Sequence, residues 1–330
     1  MSKSLNTNLN RAKILKPDEY YTQKIDIENE LKHYSNHFKD KVVFCNCDDP
    51  RISNFFHYFS HKFEALGLKK LITTCYKSQD MDLFSNKESE EAIYLVYEGD
   101  KNKNRIPDAS EIEVKPLKGD GDFRSEECIK LLEEADVVVT NPPFSLFSEY
   151  VCQLMEYDKK FIIMGDQNQI TTKDIFHYVF QKRLWLGVDN GGTKWFQVPD
   201  HYHIETESRQ KIEDGIKYHS KGNIAWWTNL DVFKRHVDIT LYKKYHGNEH
   251  EYPFFDNTNV INVDKVADIP IDYDGVMGVP ITFLDKHNPD QFEIVGISNA
   301  SRYLGDPKYE CLAMLNGKRK YNRLVIKPAT

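Results

Sequence analysis

The apolar positions along this chain alternate between two periods. From Ile27 through Leu31 and Tyr34 to Phe38 they recur at helical spacing, and KVVFCN (41–46) follows as a short apolar run suited to a buried strand. A second helical pattern runs from Ile52 to Leu66 and is closed by Gly67 as a C-cap, after which LKKLITTCY (68–76) reads as another strand. This order of helix, strand, helix, strand predicts a parallel α/β sheet. AIYLVYEG and EIEVKPL, separated by the turn-rich DKNKNRIPDAS, predict an antiparallel hairpin inserted in the series. The α/β rhythm then returns with a helix over 128–135, a strand over 135–140, a helix over 146–157, a strand over 159–165 and a helix over 172–181. RLWLGV (183–188) is strand-like.

From about residue 189 the strand-like pieces shorten, and Gly, Asn, Asp and Pro punctuate them. The reading is α/β: a Rossmann-like, doubly wound domain over 1–190, and a more irregular α+β region over 191–330 that completes the site and reads the substrate.

Composition agrees with a well-packed protein. Of 330 residues, 40% are hydrophobic and 13% aromatic, enough for a substantial core. The polar, basic opening MSKSLNTNLNRAK has no apolar h-region, and no long apolar run follows, so neither a secretion signal nor a membrane span is expected. The six cysteines lie mostly in apolar runs and read as reduced thiols of a cytoplasmic protein. A net charge of −7 argues against a protein that coats nucleic acid, although a local basic groove suffices for a specific nucleic-acid enzyme.

The informative segment is ADVVVTNPPF, ending at Phe144. A buried strand runs directly into Asn141-Pro142-Pro143-Phe144, and catalytic groups of open α/β sheets collect beyond the carboxyl ends of strands. The two prolines fix φ and hold the Pro142 carbonyl rigidly. An aromatic exocyclic amine is a poor nucleophile because its lone pair is delocalised into the ring. Two acceptors that bond its two hydrogens pull the nitrogen towards a tetrahedral geometry. The Asn141 side-chain oxygen and the Pro142 carbonyl suit that role, and Phe144 can stack on a flipped base. With a sulfonium methyl as electrophile, orientation and charge stabilisation replace a strong base. The competing reading, a strand followed by a plain Pro-Pro turn, is weakened by the preceding VVV strand and the following aromatic.

At these residues the sequence resembles the amino-methyltransferases with an [DNS]-P-P-[FYW] motif, and beyond them the EcoRI-type adenine-specific DNA modification methylases. The strings that carry the resemblance are DEYYTQ (18–23), VVFCNCDDPRISNFF (42–56), GDGDFRS (119–125), VVVTNPPFSLF, WWTNLDVF (226–233) and GVMGVPITFLDKHNPDQFEIVG (275–296). The resemblance covers most of the chain. It implies a class I methyltransferase fold with S-adenosyl-L-methionine as donor, site-specific methylation of adenine N6 in double-stranded DNA, and a place in or descent from a type II restriction–modification system. A cognate restriction endonuclease would then be a partner. A monomer is expected, because such an enzyme modifies one strand at a time. RNA adenine, a protein glutamine amide, or a catalytically inactive DNA-binding role stand as alternatives.

Residue by residue, the resemblance implies that Tyr21 and Thr22 wrap the methionine end of the cofactor. Asp48, Asp49 and Pro50 occupy the loop after the first strand. Asp122 would bond the cofactor adenine amine and Phe123 stack on that ring. Asn141, Pro142, Pro143 and Phe144 are the catalytic tetrad. Two departures stand out. The first loop lacks glycine, and the second strand ends in Cys75-Tyr76 rather than an acid, leaving the ribose ligand open.

Other constellations read as structure. Alternation on a strand points Cys45 and Cys47 to opposite faces, and His57 and His61 lie on a helix face among aromatics, so no metal is expected. Phe196, in WFQVP, is a candidate second wall of the base pocket, or a core aromatic. Trp226, Trp227 and Asn229 serve target recognition or packing. Lys234 and Arg235, with Lys243 and Lys244, form one basic cluster, and Lys318 and Arg319, with Lys320 and Arg323, another. Both are candidate phosphate contacts.

Overall fold

The computed structural model describes residues 20–47, 53–74, 92–104, 107–108, 110–198 and 206–329. The described elements, in chain order, begin with β1 (Tyr21–Thr22), α1 (Lys24–Leu31), α2 (Ser35–Phe38), β2 (Val42–Cys45), α3 (Asn54–His61), α4 (Phe63–Leu66) and β3 (Lys70–Thr74). Next come β4 (Ile93–Tyr97), β5 (Ile112–Pro116), α5 (Glu126–Glu134), β6 (Val137–Thr140), α6 (Phe147–Glu156), β7 (Lys160–Asp166), α7 (Lys173–Phe180), β8 (Trp185–Leu186) and β9 (Lys194–Gln197). The series closes with β10 (Gln210–Glu213), β11 (Ile216–Lys221), β12 (Ile224–Thr228), β13 (Ile261–Asn262), β14 (Met277–Pro280), β15 (Phe292–Ser298), β16 (Tyr303–Gly305), β17 (Met314–Leu315), β18 (Lys318–Arg319) and β19 (Arg323–Pro328).

The chain forms two compact units that interleave rather than meeting at one boundary near 190. The first takes residues up to 159, then 163–165 and 191–224. The second takes 160–162, 166–190 and 225–330.

The main sheet of the first unit runs β5-β4-β3-β2-β6, with the central residues of β7 beyond β6. β2 pairs parallel with both β3 and β6, whereas β3, β4 and β5 pair antiparallel, so the sheet is mixed as the inserted hairpin predicts. Local signals explain the helices. The Ser53 hydroxyl caps α3 by accepting from the Phe55 and Phe56 amides at 3.2 and 3.4 Å. Gly67 ends α4 at a φ of 63°, the left-handed conformation its missing Cβ permits. Ser125 caps α5. Every residue of β2 and β6 is buried, as parallel strands covered by helices must be. Phe55 and Phe59 of α3 and Phe147, Tyr150 and Leu154 of α6 are fully buried in the same unit.

The chain leaves β2 towards β3 on one side, and β6 lies on the other. The carboxyl ends of β2 and β6 therefore flank a topological switch point, where open α/β sheets bind ligands. A second, antiparallel sheet of the unit has the order β1-β9-β11-β10. It joins residues 21–22 to residues 194–221, a pairing that local periodicity does not foresee.

The second unit contains a five-stranded sheet, β13-β14-β19-β15-β16, and the β17–β18 hairpin. Phe255, Val260, Val295, Ala313 and Val325 form a buried cluster there. β12 pairs antiparallel with β8, and its Trp226 and Trp227 are fully buried. Asn229 Oδ1 accepts from the Phe161 amide at 3.0 Å, and Thr228 Oγ1 donates to the Phe161 carbonyl at 2.7 Å. Residues 226–229 thus pack and stitch the core of this unit. No helix among the described residues is long and apolar enough to cross a membrane.

Two predictions follow from packing. A Cβ at Gly165 would sit inside the Phe147 ring, so Gly165→Ala should overpack the site and destabilise by about 1–3 kcal/mol, read as a lowered midpoint in denaturant titration. Burial pushes the His287 imidazole down to about 4, against a partly offsetting bond between Nε2 and the Phe292 carbonyl at 2.8 Å. The unfolded chain binds this proton near pH 6.5, so the contribution is complete above that pH and is lost as pH falls towards 4. His287→Gln should flatten that arm of the pH–stability curve, measured by thermal melts from pH 7 to 4.

Candidate active site

β6 delivers the tetrad to the switch point. Asn141 and Pro142 are buried, Pro143 is half-buried, and Phe144 opens a 3₁₀ turn that leads into α6. The turn closes through the Leu146 amide, which donates to the Pro143 carbonyl at 3.0 Å. The Asn141 amide is oriented by one bond, from Nδ2 to the Tyr20 carbonyl at 2.7 Å. Only an NH₂ can donate to a carbonyl, so Oδ1 is fixed on the opposite side. That oxygen is buried and has no hydrogen-bond partner. The Pro142 carbonyl likewise accepts no backbone bond among the described residues. A buried acceptor left unmade costs stability, and in a native protein it calls for a functional explanation. A buried, unmade amide oxygen next to a carbonyl that no backbone amide claims among the described residues suits a donor that carries two hydrogens.

The antiparallel sheet builds the walls. Register pairs Thr22 with Phe196 and Phe196 with His219, so these three side chains share one face, joined two residues away by Tyr20 and Lys221. Phe196 is buried, with its ring 6.0 Å from Phe144 and 5.6 Å from Tyr20, and Tyr20 lies 5.5 Å from Phe144. His219 lies 5.9 Å from Tyr20, its pKa lowered by burial and then by Lys221 and Arg209, which keeps the ring neutral at pH 7. The Lys221 ammonium sits 4.0 Å from the Tyr20 ring centre and 4.5 Å from that of Phe144. Phe196 was a candidate from the sequence. Tyr20, His219 and Lys221 were not, because strand pairing across some 200 residues leaves no local signal.

The proposed cofactor residues have mixed placements. Thr22 is buried, and its Oγ1 donates to Met164 Sδ at 3.4 Å, while Tyr21 is half-buried beside it on β1. Asp48, Asp49 and Pro50 lie outside the described residues. Just before them Cys47 has a φ of 70°, a left-handed conformation that side-chain-bearing residues adopt uncommonly. Phe123 is buried and meets Tyr150 edge-on at 5.0 Å. The Tyr150 hydroxyl, held protonated by burial, donates to Asn46 Oδ1, and Thr140 Oγ1 donates to the Asn46 carbonyl. Through these links the Asp122-Phe123 segment, the loop after β2 and the tetrad meet at one edge of the sheet. Asp122 Oδ2 accepts from the Arg124 guanidinium at 2.6 Å, and that guanidinium also reaches Glu149.

The basic candidates belong to the second unit. Lys234 Nζ donates to the Val188 carbonyl at 2.8 Å and to Asp285 Oδ1 at 2.5 Å, and Arg235 stacks on Trp185 at 3.9 Å. Both therefore already serve internal packing. Lys318 and Arg319 are exposed on β18. His61 Nδ1 bonds the His57 carbonyl at 2.8 Å, a helix-internal contact.

The chain is similar to known proteins along nearly its whole length. The profile described as adenine-specific methyltransferase EcoRI matches residues 8–328. The chain is 49% identical to the Type II methyltransferase M.EcoRI of Escherichia coli, over 98% of this chain and 96% of that protein. It is 37% identical to the Type II methyltransferase M.MpnI of Mycoplasma pneumoniae, over 96% and 97%, and 36% identical to M.MgeORF184P of Mycoplasma genitalium, over 97% and 98%. No solved structure matches significantly. Matched along nearly its whole length, the chain belongs to the EcoRI family of adenine-specific methyltransferases.

Proposed function

We propose that the protein methylates the N6 amine of a flipped adenine at a specific site in double-stranded DNA, with S-adenosyl-L-methionine as donor. The observation that carries this is the buried, unpartnered Asn141 Oδ1 beside the Pro142 carbonyl, held in place by the Tyr20 carbonyl. The two acceptors would hydrogen-bond the two N6 hydrogens and restore lone-pair character to the nitrogen, and the methylated amine would then release one proton to solvent. Phe144 supplies a stacking face, and Phe196 with Tyr20 backs it. The donor group supplies a sulfonium-bound methyl, a good leaving arrangement that needs no strong base. The residues fit such a cofactor. Asp122 offers a carboxylate acceptor and Phe123 an aromatic, linked through Tyr150 and Asn46 to the strand end that carries the tetrad.

The type II names of the relatives make a cognate restriction endonuclease the expected partner, and a monomer in the cytoplasm suffices for methylating one strand at a time. Lys318 and Arg319 remain available for DNA, whereas Lys234 and Arg235 are already engaged inside the protein.

The deciding experiment offers labelled methyl donor together with DNA, RNA or protein. Label should enter adenine in DNA, and incorporation into RNA or protein alone would overturn the reading. Asn141→Ala should bind the donor normally yet lose roughly 100-fold or more in turnover, because it removes an acceptor that acts on the reacting amine. Asp122→Ala should weaken donor binding roughly tenfold in calorimetry, the loss of one charge-assisted hydrogen bond, and unchanged affinity would remove Asp122 from the site.

A further inference from the structure

A groove of about 510 Å³ in the second unit is lined by three asparagines, an arginine and a tyrosine among its residues. It is bounded by Asn168 on the 3₁₀ turn after β7, by Asn299 and Ser301 in the turn between β15 and β16, and by Arg319, Tyr321 and Asn322 on and after β18. No carboxylate lines it. Lys320 lines it too, but its ammonium is bonded to Asp264 at 3.1 Å. Arg319 is exposed and forms no ion pair among the described residues, and Tyr321 is 90% exposed.

The three carboxamides are the distinguishing feature. Asn299 Oδ1 accepts from the Ser301 amide at 2.8 Å, from Ser301 Oγ at 3.0 Å and from the Arg302 amide at 2.8 Å, which locks the turn and leaves its NH₂ as the outward group. The Arg302 guanidinium in turn donates to the Thr171 carbonyl at 2.7 Å, tying this turn to the one that carries Asn168. The side-chain amides of Asn168 and Asn322 bond nothing among the described residues. A phosphate-binding surface would gather cations, yet here the exposed cation is outnumbered by planar amides: Asn299 offers its NH₂, and Asn168 and Asn322 each offer a donor beside an acceptor. That pairing matches the N6/N7 edge of adenine, and a guanidinium fork matches O6/N7 of guanine.

We propose that this groove reads base edges of the target site in the major groove of duplex DNA, with Asn322 and Asn168 facing adenine and Arg319 facing guanine. This rests on the DNA reading above and extends it to sequence choice. It gives Arg319 a base rather than a phosphate as its partner.

The test uses the full chain and two readouts. Modified-base sequencing of DNA from cells that express the wild type, Asn322→Ala, Asn168→Ala, Arg319→Ala or Arg319→Lys shows which sites each one methylates. Competition binding of duplexes that differ by single base pairs, without methyl donor and over a salt series, shows discrimination independently of chemistry. The asparagine variants should lose roughly ten- to hundredfold of preference at an A·T pair. Both Arg319 variants should lose it at a G·C pair, and Arg319→Lys should do so with its salt dependence intact, because it keeps the charge and loses the fork. The proposal is overturned if every variant keeps wild-type preference. It is equally overturned if Arg319→Ala weakens all duplexes alike and lowers the salt slope by about one, the mark of a phosphate contact. Failure of the functional reading is a separate result: the wild type would transfer no label to any DNA, whatever the binding preferences.

Discussion

The hydrogen bond from Asn141 Nδ2 to the Tyr20 carbonyl fixes the carboxamide at the carboxyl end of β6. Without it the carboxamide is free to turn over and exchange its oxygen for its NH₂. With it, an acceptor is held buried and unmade, a cost that ordinary packing does not explain. The bond also brings the start of the described chain to the tetrad, and with it the Tyr20 ring that packs on Phe144 and Phe196. β1, β9 and β11 serve to hold that arrangement.

The helix–strand order, the inserted hairpin and the Gly67 cap were legible in the sequence because each rests on local chemistry: hydrophobic period, turn residues, a left-handed glycine. The place of Asn141 to Phe144 directly after a buried strand was legible for the same reason, since prolines there carry their own geometry. Phe196 was reachable only as a lone aromatic of uncertain purpose. Its meaning comes from the rung it shares with Thr22 and His219, which no window of the sequence contains. A single boundary at 190 also follows naturally from local composition, whereas residues 191–224 complete the first unit by pairing with β1.

The charged residues show where sequence reading is weakest. Lys234 and Arg235 resemble a phosphate clamp on paper, yet one is bonded to Asp285 and Val188 and the other lies flat on Trp185. Surface charge is defined by what has already claimed it, and that is a tertiary property. The Trp226–Trp227 pair is the complement: a string specific enough to identify a family turns out to build a core.

The rung of Thr22, Phe196 and His219 also bears on how the enzyme comes into being. Its partners are separated by nearly the full span of the first unit, and long-range pairings form late because the intervening loop must close first. During synthesis the parallel strands and the tetrad leave the ribosome well before β9 and β11. A nascent chain with β6 complete still lacks the antiparallel sheet that packs on Phe144. That packing is therefore completed late in the synthesis of the first unit, when its last strands close on its first.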